Sequence, residues 1–267
     1  MQSYRAISTI LLVSFTLLSC ISCSPSDKLA AREKITADNC DITVNLDAVE
    51  ELSVTPHLIS QFFTYYKDHY YELTYLPDFS AENNEPDWDD LSLYILLRFE
   101  YDNKDSSAPI WQLSDTQFRE TMQKHMQPVI YTDKPSHYLD YENGLYTADG
   151  FGLDGAVYYR LLDIAEDDQN IYTATFDMLS FGELELIDRE ISPNLNAVLD
   201  YAQTVLHQDP KEVSSSGPKF SSVIEAIFLE DNYAELLDMS GQVTIQFSLT
   251  DDPDSPFYYV SCVRSEE

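Results

Sequence analysis

Residues 243–263 read VTIQFSLTDDPDSPFYYVSCV. Val243, Ile245, Phe247 and Leu249 alternate with Thr244, Gln246 and Ser248, the period of a strand with one buried face. The turn-forming DDPDSP and the apolar run FYYVSCV that follow complete a β-hairpin. The same period recurs upstream. In IYTATFDML (171–179) Tyr172, Ala174, Phe176 and Met178 alternate with Thr173, Thr175 and Asp177, and the polar EDDQN (166–170) links this strand to an earlier one in GAVYYRLLDIAE (155–166). Further back, Asn143-Gly144 in YLDYENGLYTA (138–148) is a hairpin signal, because both residues accept positive φ. The middle and end of the chain are therefore expected to build an antiparallel sheet.

Helical periods surround these strands. In TPHLISQFFTYYKDHYYELTYL (55–76) Thr55 is placed to cap and Pro56 to start a helix, and Leu58, Ile59, Phe62, Phe63, Tyr66, Tyr70 and Leu73 share one face. DDLSLYILLRFEY (89–101) suits a buried strand or a helix; Asp89 and Asp90 at its start favour the helix through capping and the dipole. LSDTQFRETMQKHM (113–126) carries a capping-box pair, Ser114 and Gln117, ahead of Phe118, Met122 and Met126. SPNLNAVLDYAQTVLHQ (192–208) opens on a Ser192 cap and Pro193, with an apolar stripe of Leu195, Val198, Leu199, Ala202, Val205 and Leu206. SSVIEAIFLEDNYAELLDMSG (221–241) is ambiguous, a Ser222–Glu225 pair favouring a helix that Gly241 ends. A short strand in CDITVNLD (40–47) comes first. Strands and helices thus segregate along the chain, which is the order of an α+β fold with helices laid against one face of an antiparallel sheet. A cone-shaped fold of the nuclear-transport-factor kind has a comparable order and is the alternative. Residues 39–267 are expected to form one α+β domain, with two subdomains divided near residue 190 as an open option.

The amino-terminal segment sets the expected address. Arg5 is the one charge among residues 1–19, and the apolar run from Ile10 to Leu18 is too short and interrupted for a stable transmembrane helix. This is the pattern of a signal peptide. In Leu17-Leu18-Ser19-Cys20 a small residue precedes a cysteine, and the sequence there resembles the lipobox of bacterial lipoprotein precursors. That resemblance implies a diacylglyceryl group on the Cys20 sulfur and cleavage just before Cys20. Two or more acyl chains would then hold the protein at the outer face of a cell membrane without spanning it. Cys23 reads as an incidental second thiol, and residues 20–38, with SCSPSDKLAAREK (22–34) at their centre, as a flexible tether. The body, from about Asp87 to Val263, resembles the uncharacterised lipoproteins of gut Gram-positive bacteria in LSDTQFRETMQKHM, in ENGLY and in the VTIQFSL…SPFYYVSCV ending. Cys40 and Cys262, both on apolar sides of expected strands, either form a disulfide joining the chain ends in an oxidising exterior or remain two buried thiols.

Charge narrows the partners. The chain has 15 Lys and Arg against 47 Asp and Glu; without residues 1–19, the 14 basic residues that remain leave a net charge of −33. No nucleic acid is expected as a partner, since affinity for a phosphate backbone depends on Lys and Arg displacing counterions. The acidic residues are interspersed with apolar ones, unlike a disordered acidic tail. The 19 Tyr and 13 Phe supply much of the core, and surface tyrosines also suit a glycan or protein ligand.

Catalytic patterns are sparse. With 7 glycines and no dinucleotide fingerprint, phosphate loop, His-Glu-x-x-His or Gly-x-Ser-x-Gly motif, no cofactor and no metal is expected. Ser216 and Lys219 match a Ser-x-x-Lys spacing, but in a loop where Pro218 opposes the helix that would join them. His57, His69, His125, His137 and His207 are scattered, and His125 and His207 near helix ends suit the C-terminal dipole. In EPDWDD (85–90) Glu85, Asp87, Asp89 and Asp90 surround Trp88, so paired carboxylates in a cleft could hydrolyse a glycan. The plainer reading is an acidic loop capping the next helix. DDPDSP and DGFGLDG (149–155) offer oxygen ligands without calcium-loop spacing, and read as acidic turns. A membrane-anchored binding or interaction module without catalysis is the favoured function, with Tyr65, Tyr66, His69, Tyr70 and Tyr71 as aromatic contacts or core. A glycan hydrolase and a structural or regulatory envelope lipoprotein are the alternatives.

Overall fold

A computed structural model describes residues 42–44, 58, 61–62, 64–66, 69, 71–103, 112–131, 135–148, 155–182, 192–213 and 218–266. In chain order the elements are β1 (Ile42–Val44), α1 (Tyr71–Tyr75), α2 (Trp88–Asp102), β2 (Gln112–Ser114), α3 (Asp115–His125), β3 (Asp140–Glu142) and β4 (Leu145–Thr147). There follow β5 (Gly155–Glu166), β6 (Tyr172–Gly182), α4 (Pro193–Thr204), α5 (Pro218–Phe228), α6 (Tyr233–Leu236), β7 (Gly241–Leu249) and β8 (Phe257–Glu266). Residues 58, 61–62 and 64–66 are also helical. The fold is α+β, and all these elements belong to the unit Asp38–Glu267.

The main sheet has the order β1-β5-β6-β7-β8. Its backbone is the antiparallel run expected from the alternating sequence, with Ala174 opposite Ile245 and Ile245 opposite Cys262. The β5–β6 turn is closed by Asp167, whose Oδ1 accepts from Gln169 N at 2.7 Å and Ile171 N at 2.9 Å. Beyond β5 the sheet gains a parallel edge strand, Ile42 lying opposite Tyr159. At the other edge β8 is covered: Phe79 and Cys262 exchange backbone hydrogen bonds at 2.8 and 2.9 Å, and Gln127 N donates to Tyr259 O at 2.8 Å. Such cover removes the unpaired groups that make an edge adhesive. Strands on both sides of residue 190 share this sheet.

Helices cover both faces of the sheet, where one face was expected. Phe62 packs on Phe176, Phe247 and Phe257, with centroids 5.9, 5.6 and 5.4 Å away. Leu179 and Phe181, of opposite parity to Phe176 in β6, join Tyr158, Leu195, Val198, Phe220 and Ile227 in a second buried cluster. Strand side chains alternate, so the adjacent and buried Tyr158 and Tyr159 serve different cores. β5 is apolar at consecutive positions, as a strand buried on two sides is.

A small sheet of order β2-β4-β3 carries the Asn143-Gly144 hairpin, with φ of 56° and 77°. The capping box at Ser114–Gln117 starts α3, and Ser192 Oγ accepts from Leu195 N at 3.1 Å to start α4. Three details differ from expectation. α5 begins at Pro218, so Ser222 is internal and donates to Pro218 O at 2.9 Å in place of capping. Gly241 opens β7 with φ 140° and ends no helix. Val205 follows α4 and is 52% exposed, outside the apolar stripe. Among the described residues no helix is long and apolar enough to cross a membrane.

Candidate functional site

Two clusters of chemically competent side chains emerge: a surface cleft at the start of α2 and a buried polar chain below the β7–β8 turn. The cleft, of about 630 Å³, lies between residues 85–89 on one side and residues 130, 131 and 135–137 on the other. Its two sides are tied together at both ends, by Ile130 N donating to Asn84 O at 2.7 Å and His137 N donating to Asp89 Oδ1 at 2.6 Å. Trp88 and Tyr131 form its wall, their rings parallel within 4° and 5.5 Å apart, with Phe118 behind both. Ile130, 55% exposed, extends that apolar wall.

Glu85, Asp87 and Asp89 form the rim, so the structure brings three of the four expected carboxylates to one cleft with Trp88 and His137. Two of them have structural duties. Asp87 is the N-cap of α2, its Oδ1 accepting from Asp89 N at 2.8 Å and Asp90 N at 3.4 Å. Asp89 clamps the 135–139 loop through His137 N. Asp90 does not line this cleft; burial, then the nearby charge of Asp87, pushes its carboxyl above the ordinary range.

The buried chain starts at Glu72, which is fully enclosed. Its Oε2 accepts from Arg98 Nη1 at 2.7 Å and Tyr65 OH at 2.8 Å, and its Oε1 from Tyr94 OH at 3.1 Å. Three donors, one of them the Arg98 guanidinium, satisfy the acceptor sites of this buried carboxylate. Burial, then the Glu72 charge, pushes the Tyr65, Tyr66 and Tyr94 phenols well above their usual range. Arg98 Nη2 reaches Asp102 Oδ1 at 3.2 Å, and Asp102 Oδ2 takes His125 Nε2 at 2.8 Å and Lys124 Nζ at 3.1 Å. Burial pushes Asp102 up, but His125, Arg98 and Lys124 outweigh it and hold the carboxyl down to about 2.

His125 Nδ1 lies 2.8 Å from Ser255 Oγ. With the carboxylate taking Nε2–H, neutral His125 accepts the Ser255 proton at Nδ1. Burial, reinforced by the Arg98 charge, lowers its basicity despite the Asp102 bond. Serine, histidine and carboxylate stand in the order of a nucleophile, a base and its orienting group. However, Ser255 is only 2% exposed and lines neither cleft. The arrangement ties the β7–β8 turn to the ends of α2 and α3. His125 does stand in the last turn of its helix, as expected, but it is buried and bonded to Asp102 and Ser255.

The sequence offered one signal for this network, a lone Arg98 and a Glu72 inside apolar runs. Nothing local announced Ser255, which meets a histidine 130 residues away.

The other expected residues are accounted for in turn. Cys20, Cys23, Cys40, His57, Tyr70, Ser216 and residues 149–154 lie outside the described residues. Cys262 is a free, buried thiol near Leu76 O and Asp78, and burial pushes it up to about 12. Its strand β8 and the strand after Cys40, β1, occupy opposite edges of the sheet. Tyr65 and Tyr66 point into the core, and His69 is buried, stacked 4.0 Å from Tyr65 with Nδ1 donating to Tyr65 O at 2.8 Å. His207 follows α4 with φ 55°. Lys219 pairs with Glu212 at 3.0 Å in α5, of which Pro218 is the first residue. DDPDSP folds as a turn, Asp252 Oδ1 accepting from Asp254 N at 3.0 Å. Among the described residues no group of three or more His, Cys, Asp or Glu converges as a metal site requires.

A smaller groove of about 350 Å³ between α4 and α6 is bordered by the exposed Val205 and Leu236 and by Tyr201, whose OH donates to Glu230 Oε1 at 2.6 Å. No protein family, curated protein or solved structure matches the chain, so the nuclear-transport-factor alternative gains no support from them.

Proposed function

We propose that the chain is a membrane-anchored extracytoplasmic lipoprotein, attached through an acylated Cys20, whose folded unit holds a ligand in the α2 cleft without transforming it. The observation carrying the binding reading is a cleft of about 630 Å³ with an aromatic wall, in which Asp87 and Asp89 already serve main-chain N–H groups. Its size matches ligand pockets in general. Glycoside hydrolysis needs two carboxyl groups released to act on substrate, one of them protonated. A cap and a loop clamp are poor candidates for that work. The anchor is supported by the leader sequence and by the resemblance of its Leu-Leu-Ser-Cys end to a lipobox.

The test is a panel of glycans, amines and peptides followed both by saturation-transfer NMR and by product analysis. Binding without turnover is expected. Turnover that Glu85→Gln and Asp89→Asn abolish would replace this reading with a hydrolase. Intact-mass analysis of the membrane-extracted protein tests the anchor: acyl mass on an amino-terminal Cys20 is expected, and an unmodified terminus at another residue refutes it.

A further inference from the structure

The β7–β8 turn, residues 250–256, is closed by its own hydrogen bonds. Thr250 N donates to Pro256 O at 2.9 Å, Thr250 Oγ1 to Ser255 O at 2.5 Å, Ser255 N to Asp252 O at 3.2 Å and Asp254 N to Asp252 Oδ1 at 3.0 Å. None of these bonds needs the helices. Among the described residues the turn has two polar side-chain ties to the rest of the fold, both to the end of α3: Ser255 Oγ to His125 Nδ1 at 2.8 Å, and Asp252 Oδ2 to Lys124 Nζ at 3.5 Å. The second joins side chains that are each 42% exposed, so solvent weakens it. The buried tie through His125 therefore carries the polar attachment. It also depends on the state of the ring. His125 Nε2–H is committed to Asp102 Oδ2 at 2.8 Å, so only a neutral imidazole leaves Nδ1 able to accept the Ser255 proton. A second ring proton turns Nδ1 into a donor, and the Ser255 hydroxyl hydrogen then loses its acceptor at a residue 2% exposed. The charged groups around the ring are Asp102 and Arg98 from α2, Lys124 beside it on α3, Glu72 from α1 behind Arg98, and Asp252 from the turn. Asp102 is shared with Arg98 at 3.2 Å and Lys124 at 3.1 Å, and Arg98 Nη2 comes within 3.5 Å of His125 Nε2. A cationic His125 thus shares one carboxylate with two other cations.

We infer that the β7–β8 turn is an acid-released latch: protonation of His125 frees residues 250–256 from the helix ends while β7 and β8 stay paired, and water then reaches Ser255, His125 and Asp102. The direction of the proton linkage agrees. Burial lowers the basicity of the enclosed ring, the Asp102 bond opposes this, the Arg98 charge reinforces it, and the balance lies below the ordinary 6.5. A ring uncovered by the lifted turn returns toward that ordinary value. The open form is therefore the better base, and each pH unit below about 6.5 raises the open-to-closed ratio by up to about tenfold until the closed ring also titrates. The inference depends neither on the α2 cleft nor on the membrane anchor.

The experiment follows the full chain by NMR from about pH 8 to about pH 5, recording the His125 ring shifts and the backbone order parameters together. Order parameters of residues 251–255 are expected to fall from the rigid range near 0.85 to below about 0.6, with the midpoint of the His125 titration, while Ile245, Phe247 and Tyr259 keep theirs. His125→Gln should hold the turn rigid across the whole range, because its amide donates to Asp102 and accepts from Ser255 without titrating. Asp252→Asn removes the Lys124 ion pair but leaves the ring, and should keep the pH dependence. Ser255→Ala should loosen the turn already at about pH 8. A turn that stays rigid while His125 takes up its proton would overturn the inference, as would equal loosening in His125→Gln. Loss of order across β7 and β8 at the same midpoint would overturn it too, since that is unfolding of the sheet and no local release. Should His125→Gln fail to fold, the wild-type midpoints decide: ring and turn midpoints more than about one pH unit apart refute the latch.

Discussion

Replacing Arg98 by Met is the sharpest test of how the interior is held together. The guanidinium is fully buried, donates to Glu72 and Tyr65 at 2.7 and 2.8 Å, and reaches Asp102 at 3.2 Å. Met keeps much of the apolar stem but strands the Glu72 carboxylate in a closed cavity with phenol donors only. Removing one partner of a buried ion pair costs about 3–5 kcal/mol, because a charge is left uncompensated. Set against a typical total of about 5–15 kcal/mol, that is roughly a fifth or more of the stability. It should lower the urea midpoint by roughly 1–2 M at unchanged slope. Glu72→Gln alone should cost less, as the amide oxygen still accepts and Arg98 retains Asp102. The double variant should recover at least about 2 kcal/mol relative to the sum of the singles, since neither charge then lacks a partner. The assay is urea unfolding followed by far-UV circular dichroism for all four proteins. An Arg98→Met loss below about 1 kcal/mol, or strict additivity, refutes the claim that the pair is mutually compensating.

Four further outcomes follow from the structure. His125 is less basic folded than its ordinary 6.5, so the unfolded chain takes up the proton first and stability falls as pH drops below about 6.5; His125→Gln should flatten that slope in pH-resolved melts. Asp102, held down to about 2 from 3.8, adds a second loss across that lower interval, worth about 1–2 kcal/mol after discounting for partial exposure. Gly144→Ala should destabilise by about 1–2 kcal/mol, because the residue sits at φ 77° and a Cβ would meet Asp115 Oδ2 at 3.1 Å; an unchanged melting temperature would contradict it. Cys262 should resist alkylation in the native protein and react only on unfolding, as read by peptide mass mapping, since it is buried and its thiol is pushed up to about 12.

Local grammar explains which features the sequence disclosed. The Asn143-Gly144 turn, the Ser114–Gln117 capping box, the Ser192 cap and the alternation in β7 each depend on residues within a few positions and form as read, whereas in β6 the alternation holds only to Phe176, Asp177 being buried and Met178 half-buried. The start of α5 was misplaced because Ser222 and Glu225 mimic a cap, while the true first residue, Pro218, follows a run of serines that resembles any loop. The two-sided burial of β5 was hidden for a different reason: Tyr158 and Tyr159 are amphipathic, and neighbouring tyrosines do not say which face is core. The carboxylates of EPDWDD were legible as a group, and the capping reading holds for Asp87. Asp87 caps α2 while standing at the rim of the cleft. Ser255, His125 and Asp102 meet only through tertiary packing of a hairpin turn on two helix ends, for which no short-range pattern exists.

The adjacency of Tyr158 and Tyr159 has a thermal corollary. A strand that furnishes the common partition between two hydrophobic compartments cannot be withdrawn from one while remaining in the other. Heating should therefore melt both together, giving a single calorimetric peak whose enthalpy equals its van 't Hoff value. A lesion such as Phe220→Ala on one side should lower that one peak as a whole, and no separate early shoulder should split from it.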